Sequence, residues 1–413
     1  MHMAFVLDLL QRIRLSLYGT AMTQRTRVLR CDLSSIKFSS DDPIVEDPET
    51  KDALKQASAL LHDKQPVAFP TETVYGLGAL ALDSVAASRI FSTKGRPPDN
   101  PLIVHVSSRA MLQRLLPSGY TIPPIYELLM KHFWPGPLTL LFPTNPSLVP
   151  SIITAGQPTV AVRMPSHPVA RALIALTDEP IAAPSANSSG KPSPTRAEHV
   201  LRDLEGKIEL IIDGGACGVG LESTVVDGLN EDGNLRVLRP GGVTVEDLER
   251  VIQTEYKGQD RLPKVLVHKR DYRDEAMEQA PTTPGMKYRH YSPTAPVVLL
   301  SKSLPSSEPV SPPSLVASII SRYQAALIGL LAPSDSSLAK QLLNVPGVQW
   351  RYHPLGPLEQ PSVTAQRLFD GLLTLDNAGV DVILIEEIQE EREGLAVMNR
   401  VRKAAGEILA VVG

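Results

Sequence analysis

The residues of this chain best suited to chemistry are cations set beside prolines and glycines. "KGRPPDNPLIVHV" carries Lys94, Arg96 and Asn100, "TAGQPTVAVRMP" carries Thr159 and Arg163, and "VLRPGG" carries Arg239. Pro97, Pro98 and Pro101 restrict their own φ angles and push the preceding residues toward extended backbone, so the first loop is stiff before any ligand arrives. A stiff loop presenting an ammonium, a guanidinium and an amide suits a polyanion: arginine forks onto phosphate oxygens, lysine adds a point charge, and asparagine reads a base or ribose. Taken alone, such a run reads as a solvated turn. Three arginines at strand ends of one α/β pattern read differently, because ligands collect at the C-terminal edges of such sheets.

A second group of segments is rich in small polar side chains. "FPTETVYG" brings Thr71, Glu72, Thr73 and Tyr75; "APSANSSGKPSPT" brings Ser185, Asn187, Ser188, Ser189, Ser193 and Thr195; "LESTVVDG" brings Glu222, Ser223 and Thr224. Such loops cradle phosphate, carboxylate or an ammonium, or else serve as turns and helix caps. For Thr195, with Glu198 three residues on, a capping box is the better reading. "YGLGALA" satisfies G-x-G-x-x-A on paper, but "PTET" stands where a strand must run into the turn and no acid closes a following strand, so we read it as a false match. "SSGKPS" lacks the earlier glycine and the following hydroxyl residue of a Walker sequence. With no G-x-S-x-G elbow, H-E-x-x-H pair or acidic cluster, no protein nucleophile and no metal ligand is assigned. The inventory fits catalysis by positioning and charge neutralisation, as in transfer at phosphorus.

These loops need a scaffold, and the chain alternates accordingly. Short β-rich runs ("PLIVHV", "LTLLF", "TVAVRM", "PIAAP", "IELIID", "STVVDG", "LRVLRPG") are spaced by helical segments such as "SVAASRIFSTK" and "HPVARALIALTD". This predicts an α/β domain with one large sheet over residues 43–254, opened by a helix between Pro43 and about Lys64 and closed by the helix "TVEDLERVIQ". Residues 255–292 have no clear period and read as a linker, although "PGMKYRHYSP" concentrates Lys287, Tyr288, Arg289, His290 and Tyr291. From residue 293 to 413 a further βα alternation predicts a small Rossmann-like domain. At 413 residues two domains are expected. The 41 basic and 45 acidic residues give a net charge of −4, which excludes a polycation built to grip nucleic acid over its whole surface. The two cysteines, Cys31 and Cys217, are too few for a disulfide framework or a paired-cysteine zinc site. No apolar run is long enough to suggest a membrane span.

Residues 1–42 read as an N-terminal extension. Five arginines and one acid between Met1 and Arg30 resemble a mitochondrial transit peptide, with Met22 as an internal start for a cytosolic form; a disordered extension is the other reading. The expected location is cytoplasmic, with a mitochondrial form if the segment is a targeting signal.

Taken in order, "PTETVYGLG", "KGRPPDNPLIVHV", "WPGPLTLLF", "VAVRMPSHP", "APSANSSGKPSPT", "ESTVVD" and "VLRPGG" resemble the YrdC-like threonylcarbamoyl-adenylate synthases over about residues 50–250. "PGMKYRHYSP" and the βα domain after it resemble the long, two-domain form. The resemblance implies a YrdC-like twisted sheet domain followed by a linker and a Rossmann-like domain. It also implies a reaction in which L-threonine, bicarbonate or CO2, and ATP with magnesium give threonylcarbamoyl-AMP and pyrophosphate. The product would pass to a downstream threonylcarbamoyl transferase and to tRNAs reading codons that begin with A. Carried over motif by motif, Thr73, His105, Arg163, Ala183 and Ser223 would hold threonine. Arg96, Asn100, Thr159, Ser185, Ser193 and Arg239 would hold ATP, with Lys94 and Arg96 at the phosphates, and Tyr288, His290 and Tyr291 would fold across the nucleotide. Two rivals share the fold: a carbamoyl-adenylate-forming carbamoyltransferase, disfavoured by the two isolated cysteines, and a non-catalytic RNA-binding module.

Overall fold

The computed structural model describes residues 25–412 apart from 258–260, 269, 273–278, 280, 281, 283–289 and 303–308. Its larger sheet is mixed and runs, edge to edge, Arg27–Arg30, Leu210–Asp213, Val67–Pro70, Tyr75–Leu80, Ile181–Ala182, Ile103–His105, Thr159–Arg163, Leu138–Pro143, Thr224–Asp227, Leu235–Arg239 and Val265–Val267. The apolar runs of the sequence fill its middle. There Ile103–His105 pairs in parallel with Thr159–Arg163, putting His105 opposite Arg163, and Leu138–Pro143 pairs antiparallel to the same strand, putting Thr139 opposite Arg163.

Local chemistry sets the helices around it. Asp47 accepts from the Thr50 amide and Pro48 stands in the first turn, so the first long helix is Pro48–His62, burying Ala53, Leu54, Ala57 and Leu61 at helical spacing. The sequence reading began this helix too early: Asp42–Val45 forms a hairpin with Ile36–Ser39. The helix Ser84–Lys94 ends on Gly95, whose φ of 61° is the left-handed conformation that glycine adopts without a Cβ penalty.

Both boundaries of the first domain move outward. Residues 1–42 are not wholly an extension, because Arg27–Arg30 pairs in parallel with Leu210–Asp213 at the sheet edge. Residues 255–292 are not only a linker, because Val265–Val267 pairs in parallel with Leu235–Val237 at the other edge. The first 24 residues, which include most of the supposed targeting segment, lie outside the described residues.

In the second domain five parallel strands run in the order Gln349–Pro354, Leu327–Ala332, Val382–Glu386, Val297–Ser301 and Glu407–Ala410. Alternate strand residues face opposite sides. Val298, Leu300, Ile328, Leu330, Val382 and Leu384 pack with the helices Pro312–Tyr323 and Ser337–Leu343. Val297, Leu299, Leu331, Ile383 and Ile385 pack with Pro361–Asn377 and Glu393–Ala404. That second cluster also takes in Val74, Leu221 and Tyr291, so the two domains and the linker share one apolar core. Their backbones come close enough that a Cβ on Gly220 would stand 2.4 Å from Gln366 Cα. Among the described residues no helix is long and apolar enough to cross a membrane.

The rejected dinucleotide fingerprint has a packing explanation. Tyr75–Leu80 is a strand interior to the sheet, and a Cβ on Gly78 would lie 2.5 Å from a ring carbon of Phe69 and 2.9 Å from Ile181. Gly78→Ala is therefore expected to destabilise the protein by about 1–3 kcal/mol through overpacking, read as a lower midpoint in chemical denaturation. An unchanged midpoint would show that Phe69 moves aside without cost.

Candidate functional site

The loops that leave the middle of the large sheet converge on one cleft, and each is shaped by its own side chains. In the loop before Tyr75 the Thr71 hydroxyl donates to the Val74 carbonyl at 2.7 Å and lies 2.7 Å from the Thr73 hydroxyl. This turn aims Thr73 at Arg163, whose Nη1 donates to it at 2.9 Å. Arg163 Nε donates to the Gly136 carbonyl at 3.1 Å, and Nη2 stands 2.5 Å from Glu72 Oε1. A guanidinium has five N–H groups. Nη1 keeps one N–H unused, and Nη2, although close to the Glu72 carboxylate, makes no hydrogen bond.

After Gly95 the chain turns so that Arg96 points back across its own proline loop, with Nε donating to the Asn100 carbonyl at 3.1 Å and Nη2 to the Pro101 carbonyl at 2.9 Å. Stiffness thus has two sources, the prolines and the guanidinium that braces them. On the opposite wall Arg239 donates to the Ser223 carbonyl at 2.9 Å and to its hydroxyl at 3.2 Å, and the Ser223 hydroxyl lies 2.7 Å from that of Thr139.

Thr73, Val74, Arg96, Ile103, His105, Arg163, Ala183, Ser185, Asn187, Ser193, Glu222, Ser223, Arg239, His290 and Tyr291 are all on the wall of this cleft, which encloses about 70 Å³. His290 and Tyr291 of the linker form part of its lining. Ligand sites commonly measure about 300–1,000 Å³.

The electrostatics of the cleft are those of an anion site. Burial and then the charge of Arg239 bring Arg96 down to about 9, and burial brings Arg239 down to about 10. Burial, then Arg163, lowers His105 to about 3, so its imidazole is neutral and its buried Nδ1 has no protein partner. Burial and Arg96 lower His290 to about 4, and its Nε2 is likewise unpartnered. Asn187 Oδ1 on the wall, and Asn100 Oδ1 and Thr159 Oγ1 away from it, are also buried without partners. Unsatisfied buried polar atoms are uncommon in folded proteins, and those of His105, Asn187 and His290 on the wall of the cleft are available to a ligand.

Similarity to known proteins agrees with this geometry. A family described as "Telomere recombination" matches residues 59–241, and one described as "Threonylcarbamoyl-AMP synthase, C-terminal domain" matches residues 243–406. The threonylcarbamoyl-AMP synthase of Schizosaccharomyces pombe is 45% identical over 86% of this chain and 89% of its own length. That of Bacillus subtilis is 42% identical over 89% of this chain and 96% of its own. The chain belongs to the threonylcarbamoyl-AMP synthase family, in its two-domain form. A crystal structure of Pyrococcus abyssi Sua5 complexed with L-threonine superposes with a TM-score of 0.73 at 38% identity, covering 94% of this chain and all of that one.

The family motifs thus meet in space, with exceptions. Asn100 and Thr159 lie outside the wall of the cleft. Lys94 is expected at phosphates; it does not itself line the cleft, and its ammonium donates to the main-chain carbonyls of Ser185 and Asn187, two residues of the cleft wall. It is buried, and burial and then Arg96 push it well below the usual lysine range. In this geometry it holds the Ser185–Asn187 loop in place. Thr195 does not cap either: the helix Ala197–Leu204 begins after Arg196 without a side-chain cap, and the Thr195 amide donates to His199 Nδ1 at 3.3 Å. Tyr288 lies outside the described residues.

Sequence reasoning missed what neutralises this family site. Glu72 and Glu222 lay within the quoted motifs as undifferentiated polar residues, yet Glu72 pairs with Arg163 and Glu222 Oε1 accepts from Ser193 at 2.7 Å. The other oxygen of Glu222 accepts from Arg400, a residue of the second domain, at 3.1 Å. Burial pushes Glu222 up, but Arg400, Arg239 and the Ser193 hydroxyl outweigh it and hold the carboxyl at about 2. No motif announces a contact spanning 178 residues.

The neutral histidines generate a pH dependence. Both have folded pKa values below the ordinary 6.5, so the unfolded chain binds more protons and stability is lost as pH falls from 6.5 toward about 4 and 3. The melting temperature is expected to drop over that window, and less steeply in His105→Gln, which cannot titrate. Parallel curves would mean that His105 is not held neutral.

Proposed function

We propose that the cleft makes threonylcarbamoyl-AMP from L-threonine, bicarbonate or CO2 and ATP, with release of pyrophosphate. The observation that carries this reading is the convergence of buried Arg96, Arg163 and Arg239 on one cleft ringed by unpartnered polar atoms. The amine of threonine adds to CO2 to form a carbamate, and a carbamate oxygen attacks the α-phosphorus of ATP in line, expelling pyrophosphate. No protein nucleophile takes part. The chain contributes orientation and fixed positive charge, the two terms that dominate such transfers.

Thr73, His105, Arg163, Ala183 and Ser223 are assigned to threonine, with the free N–H groups of Arg163 taking its carboxylate. Arg96, Ser185, Ser193 and Arg239 are assigned to ATP, with Asn100 and Thr159 away from the cleft wall and Lys94 acting through the loop it holds. Among the described residues no three His, Cys, Asp or Glu lie together as a metal cage, and Glu72 and Glu222 are in ion pairs. Magnesium is assigned to the nucleotide substrate in this proposal. His290 and Tyr291 form a gate that must move for ATP to enter, anchored to the second domain where the Tyr291 ring packs 5.1 Å from that of Phe369.

The product is a mixed anhydride suited to a downstream transferase acting on tRNA, in the cytoplasm and, if the arginine-rich start is a targeting signal, in mitochondria. The RNA-binding alternative fits poorly, since three arginines out of contact with water do not reach a nucleic-acid backbone. The carbamoyltransferase alternative lacks relatives of comparable similarity among those described above.

Pyrophosphate release is expected only when threonine, bicarbonate and ATP are all supplied, and more slowly with serine in place of threonine. No release under any combination would end the enzyme reading. Arg163→Ala is expected to raise the KM for threonine by the equivalent of about 2–4 kcal/mol, the cost of breaking a buried charged pair. A wild-type KM in that variant would remove Arg163 from the threonine site.

A further inference from the structure

Arg400 is the largest fully buried side chain of the described residues, and it belongs to the second domain, on the helix Glu393–Ala404. A guanidinium is left out of water only where its surroundings compensate it. Here the compensation comes mainly from the other domain, with Nη2 left without a hydrogen-bond partner. Nε donates to Glu222 Oε2 at 3.1 Å, Nη1 donates to the Pro240 carbonyl, and Cζ lies 5.9 Å from the centre of the Tyr291 ring.

Both acceptors adjoin residues already placed at the cleft. Glu222 precedes Ser223 and accepts the Ser193 hydroxyl proton. Pro240 follows Arg239 and leads into Gly241, where a Cβ would stand 2.3 Å from the Glu222 carbonyl oxygen, so the two loops lie backbone against backbone. One guanidinium therefore clamps the loop carrying Glu222 and Ser223 to the loop carrying Arg239 and Pro240, from behind the wall of the cleft.

We infer that Arg400 is a positioning residue of the synthase reaction: acting through Glu222 and the Pro240 carbonyl, it fixes Ser193 and Arg239 toward the nucleotide. The inference rests on the reaction proposed above. Its chemical content is the polarity of Ser193. While Glu222 is ionised it can only accept, so the Ser193 proton points at the carboxylate and the serine oxygen meets the ligand as an acceptor, suited to a ribose hydroxyl or an adenine amine. A protonated Glu222 could donate to Ser193 and reverse that polarity. The second domain thus sets which hydrogen-bonding role the first domain offers its nucleotide.

The groups facing Glu222 define a usable pH window. Arg400 approaches from the second domain, Arg239 from the neighbouring strand, Ser193 from its loop, and Tyr291 and His290 from the linker. His290 titrates near 4 and Tyr291 near 12, outside an assay run from about pH 5.5 to about pH 9.

The test is pyrophosphate release by the full chain across that window, expressed at each pH as kcat/KM for ATP relative to wild type so that substrate titration cancels. Arg400→Met removes the largest of the contacts that hold the Glu222 carboxyl down, so its pKa is expected to rise toward the window. The KM for ATP is expected to rise about tenfold with a smaller change in kcat, and the ratio to wild type should climb with pH along a limb absent from wild type. Arg400→Met/Glu222→Gln should lose the limb, and Arg400→Lys, which keeps the cation, should recover most of the affinity. An Arg400→Met variant with a flat ratio and a wild-type KM would overturn the inference, as would an Arg400→Lys as impaired as Arg400→Met, since the loss would then be one of packing. If Arg400→Met does not fold, the isosteric Glu222→Gln carries the test: a raised KM for ATP supports the inference, and an unchanged one overturns it. A wild-type chain that releases no pyrophosphate defeats the proposed reaction instead, and ATP affinities of the same variants by calorimetry then decide the role of Arg400.

Discussion

The cleft gathers like charges away from water, and their mutual repulsion is the constraint that the surrounding structure answers. Arg96, Arg163 and Arg239 are buried, and Arg96 and Arg239 are each made more acidic by burial. In a low-dielectric interior such cations stand only where carbonyls, carboxylates or a ligand compensate them. The protein supplies part of that compensation: Glu72 to Arg163, the Ser223 carbonyl to Arg239, and the Asn100 and Pro101 carbonyls to Arg96. What is left over is attraction for an anion, and the polyphosphate of ATP is the anion of the proposed reaction.

The same constraint explains why the two domains are not separable parts. Glu222 needs cations around it to remain ionised at such depth, and one of them comes from the far domain through Arg400. Around that contact the interface adds the Tyr291–Phe369 ring pair, the 2.8 Å ion pair of Arg196 with Asp370, and the backbone approach at Gly220. An apolar cluster containing Val74, Leu221 and Tyr291 joins these polar contacts to the helices of the second domain. Docking and site geometry are two descriptions of the same packing.

What the sequence made legible follows from range. Alternating apolar runs and helical spacings are local signals, and they located many of the strands and most helices, but not the interior strands Val67–Pro70 and Tyr75–Leu80, where glycines and small polar residues blur the alternation. The stiffness of "KGRPPDNP" was visible in its prolines, and Arg163 and Arg239 were linked by their place at the ends of strands, whereas Arg96 stands in the loop between the helix Ser84–Lys94 and the strand Ile103–His105. The edge strands were not visible: "RVLR" is four residues with charged ends, and "VLV" is three residues in a charged stretch, both too short to show a period. The direction of Lys94 was hidden too, because nothing local says whether an ammonium faces a cleft or the carbonyls of a loop 91 residues away. Arg400 was hidden most completely, since in the sequence it is one basic residue in a surface-like run with Arg402 and Lys403.

Tyr291 closes the cleft with a backbone φ of 66°, a left-handed conformation uncommon for an aromatic residue and maintained here by packing against Phe369 and Arg400. In the proposed gate, the space of about 70 Å³ left beside Tyr291 is too small for a nucleotide, and each turnover would release and re-form this contact. For a product as prone to hydrolysis as an acyl phosphate anhydride, the dwell time of one tyrosine becomes a timing device. A long dwell shelters the adenylate from water but slows its delivery, and a short dwell delivers it quickly into solvent.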